Sequence, residues 1–155
     1  FGGPARVNRI HAAVADAGAA EGIDFAFDRI TRAPNTLNSH RLIRFAASFG
    51  RQPETVEALY RAYFIDGQDI GLIPVLVNLG EKLGMPGDVL ESYLRSDADV
   101  SAVLNDNARA HRQGVNGVPC LILDGAYALA GAQEPDILLR LLDIARQSET
   151  EMALS

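Results

Sequence analysis

Residues 114–133, GVNGVPCLILDGAYALAGAQ, carry the strongest fold signal in this sequence. Within them a short apolar run, 120–123, precedes Asp124-Gly125, a dipeptide typical of a two-residue type I′ turn, and a second apolar run follows at 126–129. The pattern predicts a β-hairpin. Because a lone two-stranded hairpin is marginally stable in water and exposes unpaired edges, we expect it to belong to a larger sheet.

The chain before residue 114 has a different periodicity, with apolar residues at the three- and four-residue spacing of amphipathic helices. Proline or capping-type residues precede these segments and glycines follow them, as at Pro53 and Gly67. The pattern predicts a mainly helical domain over residues 1–113 and a hairpin-plus-helix domain over residues 114–155.

Two local features of the helical part carry separate expectations. Residues 23–27 alternate between apolar and polar side chains, which predicts an extended segment without an obvious strand partner. Ser96 is expected to cap the helix that contains residues 100–107.

Charge and composition argue against several classes of function. The formal net charge is −6 and the 14 basic residues are dispersed, whereas nucleic acid and anionic lipid surfaces require clustered Lys and Arg. No apolar run reaches the roughly 18 residues of a membrane span, so we expect neither a nucleic-acid nor a membrane partner. His11 and His111 have no paired ligand at metal-binding spacing, and no metal site is expected.

The chain has one cysteine, Cys120, which cannot close an internal disulfide. Disulfides are typical of oxidising compartments, and a reducing cytosolic (cytoplasmic) setting therefore fits the sequence best.

Residues 114–133 resemble the C-terminal signature of FrnE-type DsbA-like proteins, a branch of the thioredoxin superfamily. Residues 35–43, NTLNSHRLI, are similar to the opening of that family's inserted helical domain. Glutathione-dependent 2-hydroxychromene-2-carboxylate isomerases and kappa-class glutathione transferases share this insertion. The resemblance covers most of the chain and implies an α/β, thioredoxin-like fold with a large all-helical insertion.

In the family that this sequence resembles, the reactive Cys-x-x-Cys lies in a strand-helix-strand unit before the insertion. There the helix N-terminus and neighbouring groups lower the pKa of the thiol. Such a unit takes roughly 30 residues or more. We expect that it would precede Phe1 and that it is missing from this chain. In the isomerases a serine lies near the position of the Cys-x-x-Cys, and glutathione contributes the thiol.

The resemblance supplies the candidate site residues. Val118-Pro119 matches the family's cis-proline loop, in which the backbone of Val118 would bind an extended peptide or glutathione; alternatively, Pro119 merely begins an edge strand. His40 is a weaker candidate for substrate binding, and a packing role is favoured for it. Cys120 is a weak catalytic candidate, because alternation places it in the strand and unpaired cysteines are often buried.

The function that the resemblance implies is DsbA-like thiol-disulfide exchange with protein substrates, without a tightly bound cofactor. The chain as it stands is expected to be inactive, since its nucleophile would lie upstream. One alternative is a glutathione-dependent isomerase or transferase, in which the insertion helices would wall a pocket for a small aromatic substrate. The other is a non-catalytic helical binding module. The substrate, the redox direction and a homodimeric state are left open.

Overall fold

Helices dominate the residues that the computed structural model describes, 4–123 and 127–153, and one antiparallel hairpin interrupts them. A single π-helical turn continues the third helix. No helix in the described part of the chain is long and apolar enough to cross a membrane. In chain order the elements are α1 (Pro4–Ala20), α2 (Leu37–Ala47), α3 (Gln52–Tyr60), the π-helical turn (Arg61–Ile65), α4 (Ile73–Lys82), α5 (Gly87–Arg95), α6 (Val100–Arg112), β1 (Cys120–Leu123), β2 (Tyr127–Ala130) and α7 (Pro135–Ala153).

The chain divides into two units, Phe1–Val103 and Leu104–Ser155, and the division falls inside α6. The sequence-based boundary after residue 113 would instead keep all of α6 in the helical domain, and it stays a prediction.

The core of the first unit lies between α2, α3, α4 and α5. Helix α5 packs closely on α4 at Gly80, where an added Cβ would collide with the side chain of Leu90. A side chain at this position would therefore force the two helices apart. The buried apolar cluster consists of Leu42, Ala46, Leu59, Ala62, Ile70, Leu76, Leu79, Met85, Leu90 and Leu94.

The segment between α1 and α2 forms no β-ladder, although residues 23–27 alternate in polarity and are all described. Phe25 and Phe27 instead pack edge-on against Phe64, with ring centroids 5.7 and 6.4 Å away. The N–H of Ala26 donates to the carbonyl of Phe64 (2.7 Å). The alternation therefore reflects an irregular segment that is bonded to the π-helical turn.

Ser96 does not cap α6, so that expectation is wrong. Helix α6 begins at Val100, and Ser96 is the C-terminal cap of α5. Its hydroxyl donates to the carbonyl of Tyr93 (2.7 Å) and accepts from the N–H of Ala98 (3.1 Å). A serine hydroxyl can donate to a nearby backbone carbonyl and accept from a nearby backbone N–H. Sequence alone therefore could not assign this residue to one helix.

The hairpin of the second unit forms as the sequence predicts. Strands β1 and β2 pair antiparallel in a register that places Cys120 opposite Ala130 and Leu123 opposite Tyr127. The expected turn at Asp124-Gly125 lies outside the described residues. Among the described residues this sheet has two strands.

Arg41 is a buried charge that joins α2 to the end of α5. Its residue is 2% exposed. The carbonyls at a helix C-terminus lack intrahelical donors and carry partial negative charge, so a guanidinium both satisfies and neutralises them. The guanidinium donates to the carbonyls of Tyr93 (2.6 Å), Leu94 (2.9 Å), Ser96 (2.8 Å) and Ala98 (2.7 Å) and to the side-chain oxygen of Asn38 (2.8 Å).

Replacing Arg41 by Met should lower the free energy of unfolding by roughly 3 kcal/mol, because several buried carbonyls lose their donors together. Chemical denaturation followed by circular dichroism measures the loss. The matched control is Arg95→Met, which removes an exposed arginine paired with Glu91 in α5 and should cost less than about 1 kcal/mol. Equal losses for the two variants would contradict the structural role of Arg41.

Tyr93 lies beside this arginine, with the guanidinium carbon of Arg41 5.0 Å from the centre of its ring. Its hydroxyl donates to Oδ2 of Asp99 (2.8 Å). Desolvation by burial is the main cause that raises the pKa of Tyr93 to about 12, and the hydrogen bond to Asp99 and its negative charge add to it.

In an ultraviolet titration of the phenol groups, Tyr93 should therefore ionise at a pH of about 12. The folded state favours the neutral phenol, so its contribution to stability is complete below the unfolded pKa of about 10 and is lost as the pH rises through 12. Asp99→Asn should lower the pKa only part of the way, since desolvation remains. An unchanged or higher pKa in this variant would refute the role of Asp99.

Candidate functional site

The loop before β1 exposes Val118. The Val118–Pro119 peptide bond is cis, and Val118 is 89% exposed. Pro119 is anchored to the rest of the hairpin, since its carbonyl accepts the N–H of Gly131 (2.8 Å). Among the described residues, no hydrogen bond engages the backbone of Val118. Its N–H and C=O are therefore free to pair with an extended chain.

Cys120 follows this loop as the first residue of β1. It is half-buried and unpaired by any disulfide. It pairs with Ala130 in the ladder, and it is less exposed than Val118. The placement in the strand agrees with the sequence alternation, while a catalytic or structural role stays a prediction.

His40 borders an apolar pocket of about 370 Å³ in the first unit. Its size falls in the range of small-molecule sites, roughly 300–1,000 Å³. The wall opposite His40 is aromatic, and the rings of Tyr63 and Phe64 meet edge-to-face with centroids 4.8 Å apart. This His40 pocket is lined by Pro34, Thr36, Ser39, His40, Ile43, Val56, Leu59, Tyr60, Tyr63, Phe64 and Ile70.

The neighbours of His40 in the 35–43 motif have structural contacts. The side-chain oxygen of Asn35 accepts the N–H of Leu37 (3.0 Å), the first residue of α2. The hydroxyl of buried Ser39 donates to the carbonyl of Ile70 (2.7 Å), and Leu42 lies in the core. His40 itself is exposed, and within the described residues no hydrogen bond to its side chain is present. Its imidazole is available to a ligand in the pocket.

The predicted site residues lie in both units. Val118, Pro119 and Cys120 are consecutive in the second unit, and His40 belongs to the first. Sequence analysis did not identify the pocket-lining residues Tyr60, Tyr63 and Phe64 as part of a site. It also missed Arg41, whose signal was a charged residue next to the core position Leu42. No cluster of metal-binding side chains is present among the described residues.

A family comparison matches residues 3–143 to the DSBA-like thioredoxin domain, and the chain belongs to this family. Its fold is accordingly the DsbA-like thioredoxin fold, mostly helical with a small two-stranded sheet in the described residues. No curated protein matches the chain significantly.

Two solved structures are similar to the chain. A probable DsbA oxidoreductase from Streptomyces coelicolor is 28% identical, with a TM-score of 0.76 over 88% of this chain and 58% of that protein. A putative protein disulfide isomerase from Nitrosomonas europaea is 22% identical, with a TM-score of 0.73 over 94% of this chain and 76% of that protein. At 22% identity, the similarity to the second structure shows a shared fold alone. The chain thus spans little more than half of the first structure's length.

The half-buried position of Cys120 predicts its reactivity. A thiol-labelling reagent at neutral pH should modify Cys120 several-fold more slowly in the folded protein than in the unfolded chain, because the residue is half-buried within β1. The matched control is the double variant Cys120→Ala, Leu121→Cys, since Leu121 is exposed on the same strand. Its thiol should react faster than Cys120. Labelling of native Cys120 faster than a free thiol would contradict the structural interpretation.

Proposed function

We propose that this chain is part of a DsbA-like thiol-disulfide oxidoreductase that exchanges disulfides with protein substrates. The observation that carries the proposal is the family match over residues 3–143, together with the exposed Val118 loop within it. Dithiol exchange needs two thiols and the 155 residues contain one cysteine. The proposal therefore places the Cys-x-x-Cys in a segment N-terminal to Phe1.

The proposed reaction begins when one thiolate of that motif attacks a substrate disulfide. A mixed disulfide forms and one substrate thiolate leaves; the second thiol of the motif then attacks the mixed disulfide and releases the other. The substrate becomes a dithiol and the motif becomes a disulfide, and the reverse sequence oxidises a substrate. We propose a reducing cytosolic setting and no tightly bound cofactor for this exchange.

The proposed role of Val118 is to align the substrate. An extended peptide that adds to the loop would exchange backbone hydrogen bonds with the free N–H and C=O of Val118, as in strand addition. The high exposure of Val118 leaves room for such a chain. Because backbone groups make these bonds, many substrate sequences would be accepted.

Removing the backbone donor tests this role. In the protein extended by its native upstream segment, Val118→Pro should lower kcat/KM for a peptide disulfide roughly fivefold, because proline lacks the N–H. Val118→Ala keeps the N–H and should retain activity. The 155-residue chain alone should show no insulin reduction above a free-thiol background. Robust turnover by that chain, lost in Cys120→Ala, would overturn the proposal.

The His40 pocket favours a second candidate, a glutathione-dependent isomerase or transferase. Its aromatic walls and about 370 Å³ volume suit a small aromatic substrate, with His40 as the polar contact. In the extended protein, glutathione-dependent isomerisation that is lost in His40→Ala, without any disulfide exchange, would support this candidate over the first. Absence of both activities would favour a non-catalytic binding module.

A further inference from the structure

A second apolar pocket lies in the first unit, on the other side of Tyr60 and Phe64 from the His40 pocket. Its volume is about 400 Å³, again within the range of small-molecule sites. Helix α1, the following loop, α3 and the π-helical turn all contribute to it. This pocket, called the Phe25 pocket below, is lined by Val14, Ile23, Phe25, Glu57, Tyr60, Arg61, Phe64 and Ile65.

The back wall of the Phe25 pocket is held by close packing. A Cβ at Gly18 of α1 would meet the ring of Phe25, so the ring lies directly on the helix backbone. The N–H of Ile23 donates to the carbonyl of Gly18 (2.8 Å). On the other side, Phe25 meets Phe64 edge-on at 5.7 Å between ring centroids. These contacts hold the wall in place, which lowers the ordering cost of binding.

Three exposed apolar side chains converge on the mouth of this pocket. Val14 is 42% exposed, Ile23 41% and Tyr60 59%. Scattered apolar residues on a surface need no explanation, but a contiguous group around a concavity marks a binding site. An apolar ligand body would remove this surface from water, at about 25 cal/mol per Å² of apolar area.

The charged groups of the lining indicate the polar end of the ligand. Arg61 and Glu57 are one helical turn apart, with Nη1 of Arg61 3.9 Å from Oε1 of Glu57, and both side chains are about two-thirds exposed. Such a long, exposed pair contributes little, so the guanidinium can turn to another carboxylate at small cost. A second guanidinium, that of Arg29, lies outside the lining but donates to the carbonyl of the lining residue Ile65 (2.7 Å).

We infer that the Phe25 pocket binds an amphipathic carboxylate, with the apolar body against Phe25, Tyr60 and Phe64 and the carboxylate at Arg61. The planar guanidinium can donate two parallel hydrogen bonds to a carboxylate. Arg61 belongs to the lining, and Arg29 is bonded to the carbonyl of the lining residue Ile65. These two guanidinium groups favour an anionic over a cationic head group. The inference does not depend on the thiol chemistry proposed above.

Isothermal titration calorimetry with decanoate, below its micelle concentration, tests the inference on the 155-residue chain, with decylamine as the cationic probe of equal length. Decanoate should bind saturably and more tightly than decylamine. Arg61→Gln should weaken decanoate binding roughly fivefold, and Glu57→Gln should strengthen it, because it frees Arg61 and removes a repulsive charge. The matched control is Arg95→Gln, which breaks an equivalent pair with Glu91 on α5 and should change nothing.

Two further variants locate the ligand. Ile23→Asp places a charge at the exposed mouth of the Phe25 pocket and should abolish decanoate binding without unfolding the chain, which circular dichroism checks. His40→Ala should leave decanoate binding unchanged, since His40 borders only the neighbouring pocket. Loss of binding in His40→Ala would overturn the inference.

Other results would also overturn it. These are no saturable decanoate binding, equal binding of decylamine, or binding unchanged by Arg61→Gln. A concentration-dependent dimer that Ile23→Asp converts to monomer in analytical ultracentrifugation, with no decanoate binding, would instead assign the apolar mouth to a contact between copies of the chain.

Discussion

The buried guanidinium of Arg41 is the constraint on which the helical unit depends. A charge withdrawn from water is tolerated only where its hydrogen-bonding capacity is met, and here four carbonyls at and beyond the end of α5 meet it. This requirement sets the position of α2 relative to α5 and to the turn before α6. Arg41 also supplies donors to carbonyls at the end of α5 that have no further helical turn to bond.

The same constraint orients the candidate ligand-binding side chain. Successive residues on a helix point about 100° apart, so anchoring Ser39 to the carbonyl of Ile70 and Arg41 to α5 leaves one direction for His40. That direction borders the apolar pocket. The structural residues of the 35–43 motif and the candidate ligand-binding residue His40 are thus adjacent on one helix, and the fixed contacts of Ser39 and Arg41 support the position of His40.

The π-helical turn has a comparable effect on the aromatic residues. It follows α3 directly, and Tyr60 and Phe64 lie on either side of its start with ring centroids 6.0 Å apart. These two rings form the partition between the two pockets. Single π-helical turns within α-helices are often found at functional sites, because they displace side chains from the regular helical register.

The succession of helices and the hairpin could be predicted from the sequence, since they rest on local signals: apolar periodicity, proline near helix starts and glycine after helix ends. The family was predicted from the resemblance of residues 35–43 and 114–133 to known motifs. The burial of Arg41 and the irregular path of residues 23–27 are visible only in the folded structure. The reason is distance along the chain. Arg41 bonds a carbonyl 57 residues away, and Ala26 is bonded to Phe64, so no local pattern could encode either contact.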